Sequence, residues 1–401
     1  MTHNRSLPSR ARWTLTALLA LSLLPACLGA QSMGTAAVEF VSVKQDSDID
    51  KLPATTSAVS VLGTSYTAVA GRKLAQLTQL TNLEFQWTGV KAVSADFLRE
   101  AVKCKSLKEL FVAGGENLRD ADFGGLAGLQ NLFSLQLAGL SGITVETLKS
   151  AAKGGKLSCL VLTGCTAIAG AAALKTIGTL PLKTMMLKKS PINLASLEFS
   201  PSSSLTYLSL IDVEGINDAL LENIAKKMTV EQLVLRGTGG STPGITDKGV
   251  AALGALPGLR RLYIGGASKL TDAAAATLAA MPGLCDLTLA GGKSPAAKLT
   301  SKGALMLLAS DNLTFVSLAE QTKLTLEVPA DFKAGAKLMR FNLSKTAFDD
   351  KALLAMAGKL DQLDCVFIHG CAKVTQKGID KLKAAHPKLY VDLADRNQEP
   401  F

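Results

Sequence analysis

The sequence is poor in the residues that carry most enzyme chemistry. It holds three histidines in 401 residues, and aromatics are only 5%. So little histidine leaves scarce material for acid–base or metal chemistry, and the composition leans away from a hydrolase or a metalloenzyme. Charged residues are also few, 19% against 48% hydrophobic, which excludes the highly charged, weakly hydrophobic class that stays disordered. With few rings available, Leu, Ala and Val must fill the core. Long apolar runs are missing beyond Trp13–Leu24, since turn residues interrupt every other stretch within about ten positions. A membrane span needs about twenty apolar residues, so no anchor helix is expected.

What is present begins with an address. Arg5, Arg10 and Arg12 precede the apolar run Trp13–Leu24, and small residues follow in Pro25-Ala26-Cys27-Leu28-Gly29-Ala30. This is the layout of a secretory signal. Two processing routes fit. Cleavage after Ala30 releases a free chain, whereas Leu24-Pro25-Ala26-Cys27 is similar to a bacterial lipobox that would leave Cys27 lipidated and anchored to a membrane. Either route puts the mature chain outside the cytoplasm, in the periplasm, envelope or medium. Removing the three arginines lowers the net charge from +10 to +7, a mild basicity that permits an acidic partner without specifying one.

The rest of the chain is one unit repeated. The pattern L-x-x-L-x-L returns with its second anchor at Leu83, Leu110, Leu135, Leu160, Met185, Leu208, Leu233, Leu262, Leu287, Val316, Phe341 and Val366. The steps are 27, 25, 25, 25, 23, 25, 29, 25, 29, 25 and 25 residues, with Val59-Val61 as a degenerate earlier copy. Such a period marks a stacked repeat architecture. Within each unit the x-L-x-L-x portion alternates with period two, a short strand with its Leu side chains inward. A turn, a polar capping residue and helical periodicity follow. Ile245-Thr246-Asp247-Lys248-Gly249-Val250 and Leu270-Thr271-Asp272 show the junction, with Thr or Asp placed to cap helix N–H groups. The helical stretches break at Pro257 and Pro282 before the next strand. One strand and one helix cannot bury their own apolar face, so the units must stack into a parallel sheet with a continuous core.

The unit resembles the leucine-rich repeat in its cysteine-containing, ribonuclease-inhibitor-like variety. Leu160-Val161-Leu162-Thr163-Gly164-Cys165-Thr166-Ala167-Ile168 carries the likeness. So does Val366-Phe367-Ile368-His369-Gly370-Cys371-Ala372-Lys373-Val374-Thr375-Gln376-Lys377-Gly378. Elsewhere the Cys place is taken by residues such as Leu140, Ser190, Thr238 and Thr346. With its N-terminal segment, the chain is similar to exported bacterial leucine-rich-repeat proteins. The resemblance implies an α/β fold, a right-handed solenoid or horseshoe of about 12–14 repeats, with a parallel β-sheet on the concave face and helices on the convex face. It also implies protein binding rather than catalysis. The expected organisation is a signal at 1–30, a capping segment at 31–66, the solenoid at 67–393 and a flexible tail at 394–401.

Three units are irregular. Pro191–Ser204 has little helical pattern, and the two 29-residue steps carry Gly237–Gly244 and Gly291–Ala296 just past a strand. These are either tolerated loop growth or a rim that touches a ligand. None ends in the Gly-Lys-Ser/Thr of a phosphate-cradling loop.

No catalytic constellation emerges. Six cysteines follow residue 27, an even number that invites a disulfide reading. Cys159 and Cys365 lie eight strands apart, roughly 40 Å at about 4.8 Å per strand, far beyond bonding reach. Reduced, mostly buried cysteines are expected. Cys365 and His369 are roughly 13 Å apart along one strand at about 3.3 Å per residue, and a zinc ion holds ligands at about 2.0–2.3 Å. No metal and no cofactor are expected. His386, beside Pro387 at a helix end, reads as a surface residue.

A partner would meet the outward strand positions. Met186, Tyr207, Ile211, Val234 and Tyr263 fall on four successive strands, flanked by Lys188, Arg236 and Arg261. Large apolar side chains on a solvated face often mark interfaces, and Tyr and Arg are favoured at hot spots. The competing reading is β-propensity filling a sheet. Glu84 and Glu109 toward the other end argue against a uniform polyanion track, so nucleic acid is not expected. The function expected is protein recognition by the concave face, with a structural or glycan-binding envelope role, basic residues meeting acidic polymer, as the alternative.

Overall fold

Every anchor residue lies on a strand, and the strands join edge to edge in chain order. The computed structural model describes residues 38–193, 204–237, 244–292, 298–357, 359 and 362–393. The strands are β1 Val41–Val43, β2 Ala58–Val61, β3 Asn82–Trp87, β4 Glu109–Gly114 and β5 Ser134–Ala138. Next come β6 Cys159–Thr163, β7 Thr184–Lys188, β8 Tyr207–Ile211, β9 Gln232–Arg236 and β10 Arg261–Gly265. The last are β11 Asp286–Ala290, β12 Phe315–Ser317, β13 Arg340–Asn342, β14 Cys365–Phe367 and β15 Tyr390–Asp392. They form a single 15-stranded parallel sheet in the order β1 to β15, an α/β solenoid. β1 and β2 extend it ahead of the first regular repeat, and β15 adds a rung after the last.

Register makes the anchors one continuous row. Val41 pairs with Val59, Val59 with Leu83 and Leu83 with Leu110. At the far end Phe341 pairs with Val366 and Val366 with Val391. From Val59 to Val366 every anchor is at most 2% exposed. Each such Leu contributes about 1.5–3 kcal/mol by leaving water, and its neighbours are the anchors of the adjacent rungs. Helix residues such as Leu220, Leu253 and Leu278 share the same apolar cluster, so the core lies between the sheet and the helix layer.

Capping builds the helix layer and also ties rung to rung. Thr246 caps its own helix by accepting from Lys248 N–H at 3.3 Å. Its hydroxyl donates backwards to Asp218 Oδ2 at 2.7 Å, and its N–H donates to Asp218 Oδ1 at 2.7 Å. Asp218 opens the preceding helix, Asp218–Lys227. Asp46–Thr67, Asp120–Thr144, Asp247–Thr271, Asp272–Thr300 and Asp350–Thr375 repeat the bond. The glycine three residues after the capping Thr has a steric cause: a Cβ on Gly249 or Gly378 would land on the Asp218 or Asp350 carboxylate.

Among the rungs whose connections are fully described, two depart from strand-then-helix. Between β4 and β5 the connection is a 3-10 helix, Asp120–Gly128. Between β12 and β13 there is no helix. Leu324 and Leu326 are buried and Val328 half-buried, alternating with exposed Thr325 and Glu327, so an extended segment fills the place. Ser301 Oγ, on the helix before it, accepts from Glu327 N–H at 2.8 Å. An extended chain is thinner than a helix, and beside it opens a groove of about 560 Å³ lined by Leu326, Val328, Asp349, Lys351, Ala352 and Ala355.

The expected signal with Cys27, the tail at 394–401, and most of the irregular insertions (194–203, 238–243 and 293–297) lie outside the described residues. The described residues from Glu39 to Leu393 belong to one compact unit. Among the described residues no helix is long and apolar enough to cross a membrane.

Candidate partner-binding surface

The eight singled-out residues converge on one patch because the register of β7 to β11 sets them in three rows. Ahead of the anchor run Thr184, Tyr207, Gln232, Arg261 and Asp286. Between the anchors run Met186, Ser209, Val234, Tyr263 and Thr288, and beyond them Lys188, Ile211, Arg236, Gly265 and Ala290. Side chains alternate along each strand, so all three rows lie on the face turned away from the helices. Five strands at about 4.8 Å spacing make each row roughly 19 Å long.

This face has an apolar centre of its own. Ile211, Val234, Tyr263 and Ala290 form a cluster separate from the main core. Tyr207, Ile211, Val234 and Tyr263 are 4%, 4%, 2% and 7% exposed, well below what a bare solvated face would give. Met186, Lys188, Arg236 and Arg261 are half-buried.

The cations beside the cluster have carboxylate neighbours. Arg261 Nε lies 3.1 Å from Asp286 Oδ2, and Arg236 Nη2 lies 3.5 Å from Asp212 Oδ2. Gly265 has a local reason: a Cβ there would approach the Arg236 stem at 2.9 Å and the Tyr263 ring at 3.0 Å. Asp212, Gly265 and Ala290 belong to the patch and were not singled out from the sequence. Asp212 sits one residue past its strand with φ of 54°, where a strand pattern no longer reports direction. Ala290 could have been found, since it occupies the row of Ile211 and Arg236.

The described cysteines are all free thiols, and all but Cys285 are buried. Burial pushes the Cys165 thiol up to about 11, so at neutral pH it is a packed, protonated side chain rather than a nucleophile. Among the described residues no group of three or more His, Cys, Asp or Glu is placed to hold a metal ion.

No family model matches the sequence. No curated protein matches it either. Solved structures do resemble its fold. Rad7, from the yeast complex of Rad7 and Elc1, superposes with a TM-score of 0.54 at 16% identity, over 97% of this chain and 98% of that one. The structure of TLR13 with ssRNA13 gives 0.51 at 14% identity over 87% of this chain, which spans about half, 51%, of that one. A leucine-rich-repeat protein of Leptospira interrogans gives 0.49 at 15% identity, over 85% and 90% of the two chains. On the likeness to Rad7 and TLR13 and the single parallel sheet, the class the fold defines is the leucine-rich-repeat solenoid. At these identities the likeness is one of fold.

Proposed function

We propose that this chain is an exported, non-enzymatic recognition protein that binds a protein partner on the sheet face opposite its helices, where Met186, Lys188, Arg236 and Arg261 are half-buried around a packed apolar centre. The binding patch is Met186, Lys188, Tyr207, Ile211, Val234, Arg236, Arg261 and Tyr263. The observation that carries the reading is the second apolar cluster, Ile211–Val234–Tyr263–Ala290, built on the sheet face that the helices do not cover. Folding alone asks for one core per solenoid, and this chain has a second, flanked by Arg236 and Arg261. Tyr beside Arg around an apolar centre is the composition of an interface hot spot. The structural neighbours support a recognition role: Rad7 is crystallised with Elc1 and TLR13 with ssRNA13. Export rests on the N-terminal arginines and apolar run, with Cys27 the lipidated residue if the lipobox route is used.

A polymer-binding role on the cell envelope is the alternative. The ion pairs Arg236–Asp212 and Arg261–Asp286 count against it, because each sets a carboxylate where a polyanion would need bare positive charge. The test is capture from an envelope extract by the wild type, Tyr263→Ala and Arg236→Ala, with bound proteins identified by mass spectrometry. A specific protein held by the wild type and weakened about tenfold or more by each change, at a temperature where both variants keep the wild-type circular dichroism, supports the reading. Capture indifferent to both changes, or retention of purified wall polymer instead, overturns it.

A further inference from the structure

The geometry points to a second copy of this chain as a partner: copies stack head to tail, β15 of one extending its sheet with β1 of the next. Among the described residues no element pairs with the outer edge of either strand. Val41 holds the anchor position, yet it is 42% exposed where the anchors from Val59 to Val366 are at most 2%. Its rung has a strand neighbour on one side only, as does that of Val391, which is 9% exposed. At the opposite end Tyr390 and Leu393 are 56% and 45% exposed. A solenoid that ends as a monomer is expected to close with a polar face. Among the described residues, apolar side chains are exposed at both ends of this one.

The hydrogen-bond phase of the two edges matches. Val43 O accepts from Leu62 N–H, so Val41 and Val43 spend their backbone groups on β2, and Phe40 and Ser42 turn theirs outward. Tyr390 N–H donates to Asp364 O and Asp392 O accepts from Ile368 N–H, so Val391 turns both its groups outward. Continuing the anchor row sets Val391 opposite Val41. In a parallel ladder that register lets Val391 N–H donate to Phe40 O and Ser42 N–H donate to Val391 O. A mismatched phase would have faced spent groups against open ones.

Charge agrees. The first rung, residues 39–51, has four carboxylates (Glu39, Asp46, Asp48 and Asp50) against two lysines. The last, residues 373–392, has five lysines against two aspartates. An acidic head meets a basic tail, and like ends repel. Because head and tail are different surfaces, the contact is heterologous and does not close on itself, so its products are open chains of copies.

Sedimentation equilibrium of the full chain across a concentration series tests this. The expected result is a mass that rises with concentration beyond the dimer. Ser42→Pro removes an outward N–H without touching the β1–β2 bonds, and Val41→Lys places a charge on the uncovered anchor. Each should weaken association about tenfold or more, tenfold being about 1.4 kcal/mol. A head-reversed chain (Glu39→Lys with Ser47→Lys) and a tail-reversed chain (Lys383→Glu with Lys388→Glu) should each associate poorly alone and recover when mixed. Circular dichroism confirms folding, and should Ser42→Pro fail to fold, Val41→Lys and the mixing experiment decide. A monomer at every concentration overturns the proposal. So does association that these changes leave intact, which would assign it to another surface such as the apolar run Trp13–Leu24.

Discussion

Asp272 holds Thr300 of the next rung with both carboxylate oxygens: Thr300 N–H donates to Oδ1 at 2.8 Å and its hydroxyl to Oδ2 at 2.6 Å. The same hydroxyl accepts from Lys302 N–H at 3.2 Å, starting the helix Ser301–Leu308. One side chain thus caps a helix while fastening it to the helix before. Strand pairing and Leu packing join the rungs on the sheet side, and this bond joins them in the helix layer.

Removing Asp272 should therefore loosen two rungs rather than one. Asp272→Ala deletes two charge-assisted hydrogen bonds, discounted because Thr300 is exposed, and should cost about 1–2 kcal/mol in urea unfolding. Thr300→Val should cost a similar amount by removing the hydroxyl from both its donor and its acceptor role. The double variant should cost less than the two losses added, since both remove one contact. Strict additivity would show that the bond carries no stability.

Gly378 should be intolerant for a reason that Asp350 creates. An added Cβ meets Asp350 Oδ1 and Cγ, so Gly378→Ala must displace the carboxylate that accepts from Thr375 N–H at 2.8 Å. Expected destabilisation is about 1–3 kcal/mol. In an Asp350→Ala background the clash is gone, and the same substitution should be close to neutral because Ala suits a helix better than Gly. A penalty that persists without Asp350 would assign the glycine to some other constraint.

The anchors were legible because a strand of period two recurring about every 25 residues leaves few architectures open, and each anchor indeed lies in one sheet. Thr246 and Thr271 were legible as caps, since capping is local. The far end of each cap was not: Asp218 and Thr246 are 28 residues apart, and only the stacking brings them together. The extended segment at Leu324-Thr325-Leu326-Glu327-Val328 did carry a period-two signal, masked by the expectation that a helix follows every strand. On the candidate patch the rows of Tyr263 and Arg236 could be read from alternation. Their company could not, because Asp212 lies past the strand end and Gly265 matters only for the side chains that cross it.

Two carboxylates should have opposite effects on the pH dependence of stability. Burial alone would raise Asp120, but hydrogen bonds from Thr147 and Thr144 outweigh it and hold the carboxyl below its usual value. A depressed folded pKa gives stability that is present above the unfolded value of about 3.9 and is lost as pH falls through the folded one. Burial pushes Glu109 up, only partly offset by a hydrogen bond from Asn82, so its ionised form opposes folding at neutral pH and its protonation on acidification relieves the penalty. Asp120→Asn should destabilise at pH 7 and converge on the wild type in acid. Glu109→Gln should stabilise at pH 7, with the gain shrinking as pH falls toward the ordinary Glu range. Parallel stability curves for wild type and either variant would contradict the assigned shift.

Thiol labelling separates packed from accessible cysteines. Cys165 is 1% exposed with its thiol at about 11, and its Sγ donates to Leu137 O at 3.4 Å. Cys285 is half-buried, and its pKa is raised by burial and by neighbouring Asp286, with Arg261 and Arg260 pulling the other way. Because the thiolate is the nucleophile, both raised values slow alkylation at pH 7, and exposure then sets the order. Among the described cysteines Cys285 should label first with iodoacetamide, faster as pH rises toward its pKa. Cys104 and Cys165 should label only as the solenoid opens, at a rate that follows urea unfolding. Labelling of Cys165 in the native protein at the rate of Cys285 would mean that its rung opens locally, and the Asp120 and Asp272 variants should then accelerate it unequally, revealing which end of the stack yields first.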